Sequence, residues 1–92
     1  MNMLSVLALC AFLWPVELLA QDKAKIAALE GQLAAAKTDA ERLGLVGDLC
    51  WNYSFISFDK ALEYGNQELA IAQKMRNDTA VALAYSDIGI VH

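Results

Sequence analysis

The sequence predicts an all-α chain of antiparallel helical hairpins, and three observations carry that expectation. After Gln21 the apolar residues recur at three and four positions rather than at two, the period of a helix and not of a strand. Polar punctuation at Lys37–Glu41, Ser57–Asp59 and Arg76–Thr79 divides this stretch into four helical lengths, at about 22–37, 39–56, 58–76 and 79–91. The connections between them are only about two or three residues, so consecutive helices are expected to be antiparallel neighbours.

Composition bounds what such a chain can be. With 92 residues and 10.0 kDa there is room for one small domain, which excludes a multi-domain enzyme. A content of 58% hydrophobic and 20% charged residues, with one proline and five glycines, excludes disordered and collagenous classes. The net charge is −4 and no block of Lys and Arg occurs, so neither nucleic acid nor an anionic membrane surface is an expected partner.

The first element, residues 1–20, differs from the rest. Met3 to Val16 is apolar except for Ser5 and Pro15, and Glu17 follows. A spanning helix needs about 20 apolar residues, so this run is too short and too early broken. It reads as a signal peptide cleaved between Ala20 and Gln21, which makes the protein exported, periplasmic or secreted. An uncleaved signal anchor, the one membrane attachment considered, and a buried helix stay open as alternatives. Leu9 before Cys10 argues against lipidation. After cleavage Cys50 would be the only thiol, so no intramolecular disulfide is expected.

Residues 21–37 form a leading helix with Ile26, Leu29, Leu33 and Ala36 on one stripe, long enough to pack on the rest and too short for an independent coiled coil. The second helix opens at Thr38-Asp39-Ala40-Glu41, which has capping-box spacing. It carries Leu43, Val46, Leu49, Cys50, Tyr53 and Ile56 on one face, and Trp51 and Phe55 beside Gly44 and Gly47 on the other. Ser57 is a natural N-cap for the third helix, with a stripe of Phe58, Ala61, Gly65, Leu69 and Ala72. The fourth starts at Asn77 or Asp78 and carries Val81, Ala84, Tyr85, Ile88 and Gly89.

Leu49-Cys50-x-x-Tyr53 and Ile88-Gly89-x-x-His92 share one pattern, a large aliphatic, a small residue and then a ring, about 39 residues apart. Ala61-x-x-x-Gly65-x-x-Glu68-Leu69 lies between them as the second helix of the unit. This arrangement resembles the tetratricopeptide repeat (TPR). The resemblance covers residues 38–92, one complete repeat and the first helix of another, and so implies an incomplete solenoid of about one and a half repeats. Together with the export segment and leading helix, it resembles the N-terminal sensor region of exported bacterial TPR proteins. The chain departs from the family pattern at Gly65, Glu68 and His92. Glu68 is expected at the edge of its stripe, solvated or paired with a Lys or Arg, since burying an unpaired carboxylate is costly.

The TPR resemblance implies a concave groove lined by first helices that takes a peptide or protein partner. The candidate contact residues are Trp51, Ser54, Phe55, Leu83, Ser86 and Ile90, with Gly44 and Gly47 as a pocket floor; the other reading has the leading helix cover Trp51 and Phe55. Gly47 and Trp51 stand where carboxylate-clamping TPRs carry Lys and Asn, which argues against that ligand class. No catalytic, cofactor or metal constellation is found: Cys50 falls in the expected core, and the one His is terminal. The expected function is a non-catalytic interaction scaffold, with a periplasmic sensory input region of a signal-transduction protein as the alternative. On that reading the array continues past His92, and the open last repeat is a route to self-association.

Overall fold

A computed structural model describes residues 22–91, and its regular elements are four helices: α1 (22–35), α2 (Asp39–Tyr53), α3 (Phe58–Lys74) and α4 (Asp78–Val91). No strand occurs among the described residues. The signal segment, its cleavage point at Ala20 and Gln21, and the His92 ring of the second motif lie outside them.

The helix starts follow from local chemistry. Thr38 is extended, at φ −124° and ψ 154°, and its hydroxyl accepts from the Glu41 amide at 3.2 Å. The return half of the expected capping box is displaced by one residue, because the Glu41 carboxylate accepts from the Lys37 amide at 3.4 Å rather than from Thr38. Ser57 accepts from the Lys60 amide at 3.4 Å, and Asn77, rather than Asp78, accepts from the Ala80 amide at 3.1 Å. The helix ends come earlier than expected. α2 stops at Tyr53, and Ile56 lies exposed in the turn instead of on the buried face. α3 closes in a Schellman turn, with the Asn77 amide on the Ala72 carbonyl at 3.1 Å and the Arg76 amide on Gln73 at 3.0 Å. That turn needs a left-handed residue, and Arg76 takes the position at φ 55°.

α3 packs on both α2 and α4, which meet each other along a narrower seam. Asp39 at the start of α2 pairs with Lys74 at the end of α3 at 3.2 Å, so the two helices run antiparallel. The Lys74 ammonium, with Arg42 at 3.1 Å, holds the Asp39 carboxyl below the usual range. The core gathers Val46, Leu49 and Cys50 of α2, Tyr64 of α3 and Ile26 of α1, with Leu29 and Leu33 packed against it. Fully burying residues such as Val46 and Leu49 stabilises the fold by about 1.5–3 kcal/mol each. α1 is therefore a packing helix, and it is also pinned by polar contacts. The Tyr53 hydroxyl donates to one Glu30 carboxylate oxygen at 2.7 Å, the Tyr64 hydroxyl to the other at 3.4 Å, and the two rings stack at 5.7 Å. Burial and the nearby Glu30 raise the Tyr64 phenol, and the hydrogen bond to Glu30 pushes Tyr53 up to about 12.

Gly65 sets how closely the three repeat helices approach. A Cβ there would lie 2.9 Å from Ile88 Cγ1 and 3.3 Å from Cys50 Sγ, so α2, α3 and α4 converge where α3 has no side chain. This approach also fixes the rotation of α4, which differs from expectation. Ala80 and Ala84 are buried and Ile88 is half-buried, while Tyr85 and Gly89 turn to solvent. Phe58, expected on the α3 stripe, is likewise exposed at the first position of its helix.

Candidate functional site

Ala40, Gly44, Gly47 and Trp51 fall on one face of α2, and Ala80, Leu83 and Asp87 on one face of α4. Between these faces lies an open groove of about 550 Å³, floored by Glu68 of α3. Its depth follows from the glycines, which leave backbone where side chains would fill the space. A Cβ on Gly44 would meet nothing within 4 Å.

Several of the expected contact residues meet here. Trp51 and Leu83 line the groove and are 53% and 58% exposed. Ser54 and Ile90 join Trp51 in a narrower cleft between the C-terminal ends of α2 and α4. Phe55 stands further out at 74% exposure, its ring edge-on to Trp51 at 5.3 Å and 85°. Ser86 is exposed and lines neither hollow. Covering of Trp51 and Phe55 by the leading helix is ruled out, since α1 packs on the opposite face of α2 through Ile26, Leu29 and Leu33.

Sequence reasoning singled out Glu68 but missed the two other acids of the groove. Asp48 of α2 and Asp87 of α4 flank Glu68, and no basic residue lines the groove. Glu68 is neither at the stripe edge nor paired with a base: it is 6% exposed, and its Oε1 has no hydrogen-bond partner. Gly47 makes room for it, because a Cβ there would lie 3.1 Å from Glu68 Oε2. Burial pushes the Glu68 carboxyl up to about 8, helped by a hydrogen bond to Asp87 and by the charges of Asp87 and Asp48. Burial and the neighbouring carboxylates thus favour its protonated form. The signal available in the sequence was the spacing of Asp48 and Asp87 beside Gly47 and Ile88, which reads equally well as a solvated face.

Other chemistry is limited. Cys50 is buried, and desolvation together with Asp87 and Glu68 pushes its thiol up to about 11, away from the nucleophilic thiolate. Among the described residues no cluster of three His, Cys, Asp or Glu side chains is arranged to hold a metal ion. No described helix is long and apolar enough to cross a membrane.

One family model, the SusR N-terminal TPR domain, matches residues 17–92. The chain belongs to the SusR N-terminal TPR domain family. Searches of the curated proteins and of the solved structures found no match. In this SusR-type TPR domain, α2 and α3 form the complete hairpin and α4 opens the next, with α1 as an added packing helix. Such repeats are interaction scaffolds.

Proposed function

We propose that the chain is an exported interaction module whose groove between α2 and α4 takes a peptide or protein partner. Its contact residues are Trp51, Ser54, Phe55, Leu83 and Ile90; Ser86, which lines neither hollow, is left out. The observation that supports this reading best is the pairing of exposed Trp51 and Leu83 in one open groove. Large apolar side chains left in solvent beside a concavity are the usual anchors of a recognition surface, and tryptophan is enriched among its energetic centres. The role asked of these residues is binding, not catalysis.

Site-specific photocrosslinking in cells tests the proposal. p-Benzoylphenylalanine at position 83 should give a discrete adduct with an identifiable partner, whereas at position 63, exposed on α3, it should give none. Equal labelling from both positions, or none from position 83, would overturn it. A second reading, a periplasmic sensory input region, draws on the family being defined as the N-terminal domain of SusR. Export is common to both readings. A β-lactamase fusion after His92 should protect cells against ampicillin, and a fusion that is made but leaves them sensitive would contradict it.

A further inference from the structure

We infer that the partner places a cationic side chain, arginine or lysine, in the groove between Asp48, Glu68 and Asp87, with Trp51 as the adjoining aromatic wall. This inference rests on the groove being the binding surface and names the chemistry of its occupant.

Three observations carry it. The groove brings one carboxyl from each of α2, α3 and α4 into the same hollow, and no basic residue lines it. Each of the three ion pairs among the described residues lies elsewhere, at Arg42–Asp39, Lys60–Glu63 and Lys74–Asp39, so none engages these acids. Glu68 is more than nine-tenths buried, lines the groove, and keeps Oε1 without a partner. A buried carboxyl oxygen with no donor lacks a hydrogen bond, and the side chain that carries it lines the groove. A guanidinium or ammonium supplies the donor and the countercharge together. Trp51 lines the same hollow, and an indole face attracts a cation beside it. Gly44 leaves room for the incoming stem, since it opens onto empty space.

Occupation has a consequence for protons. The groups facing Glu68 are Asp48 and Cys50 from α2 and Asp87 from α4, and each of them disfavours its ionised form or is disfavoured by it. A cation in the groove reverses that balance, so Glu68 releases its proton on binding and affinity rises with pH toward 8.

The test is an NMR titration of the full ¹⁵N-labelled chain with Nα-acetyl-arginine amide, against Nα-acetyl-citrulline amide as the neutral isostere. The arginine probe should shift the Trp51 indole and Gly47 amide signals saturably, and citrulline should bind about tenfold more weakly or not at all. Glu68→Gln should weaken the arginine probe and abolish the rise in affinity between pH 6 and 8.5. Asp48→Asn, an exposed substitution, should weaken binding with the fold intact. Equal shifts from the two probes, shifts confined to residues outside the groove, or no shift with either would overturn the inference. If an adduct still forms from position 83, any of those results removes the cationic occupant and leaves the groove reading standing; absence of the adduct as well removes both.

Discussion

Replacing Glu68 by Gln should make the protein more stable, and more so at higher pH. The carboxyl sits near 4.5 in an unfolded chain and at about 8 in the fold, so the folded state holds its proton more tightly. Stability from this group is fully present below about pH 4.5, falls as the pH climbs through the window, and levels off above about 8. At about 1.36 kcal/mol per pH unit the full shift corresponds to roughly 5 kcal/mol. Water in the open groove screens the charge once it forms, which leaves about 2–3 kcal/mol as the expected loss. That is a large share of a stability that for a domain of this size is on the order of 5–10 kcal/mol. Gln keeps the shape and one acceptor and cannot ionise. Urea denaturation at pH 5 and pH 8.5 should show the wild type losing about 2–3 kcal/mol and Glu68→Gln losing less than about 1 kcal/mol. The raised Cys50, Tyr53 and Tyr64 groups titrate above this window and the lowered Asp39 below it, so they do not mimic the effect. Parallel pH profiles for the two proteins would refute the reasoning.

Four further substitutions probe the packing. Gly65→Ala puts a methyl 2.9 Å from Ile88 Cγ1; overpacking should outweigh the gain in helix propensity and cost about 1–2 kcal/mol, read as a fall in the urea midpoint. Tyr53→Phe removes the 2.7 Å bond to Glu30 and should cost about 1 kcal/mol, whereas Tyr64→Phe, which loses only a 3.4 Å contact, should cost less; the reverse order in denaturation would contradict the α1 docking described above. Arg76→Gly relieves a left-handed arginine and should raise stability by about 0.5–1 kcal/mol, seen as a higher melting temperature.

The features legible in the sequence were those set by near neighbours. Thr38, Ser57 and Asn77 announce helix starts because a capping side chain reaches only two or three residues onward, and the Leu49-Cys50 and Gly65 pattern marks helices that come close because smallness is written in the residue itself. What stayed hidden depends on distant partners. Tyr64 is buried because it meets Glu30, which lies in another helix. The phase of α4 shifted toward Ala80 and Ala84 because Ile88 is drawn against Gly65, a contact that periodicity within α4 cannot show. Glu68 illustrates the limit most clearly. A carboxylate on an apolar stripe belongs at a solvated edge unless the neighbouring helix lacks a side chain opposite it, and Gly47 is that missing side chain. The sequence favoured coverage of Trp51 and Phe55 by the leading helix over partner contact, and α1 packs instead on the other face of α2.

The central claim, that the groove between α2 and α4 is the binding surface, is tested most directly by filling it. Gly44 has open space around its Cβ position, so Gly44→Phe should occupy the groove without disturbing the helix, which phenylalanine favours more than glycine does. The measurement is the yield of the photocrosslinked adduct from position 83 in that background. The adduct should disappear while the melting temperature holds or rises. An undiminished adduct in a folded Gly44→Phe protein would contradict the account.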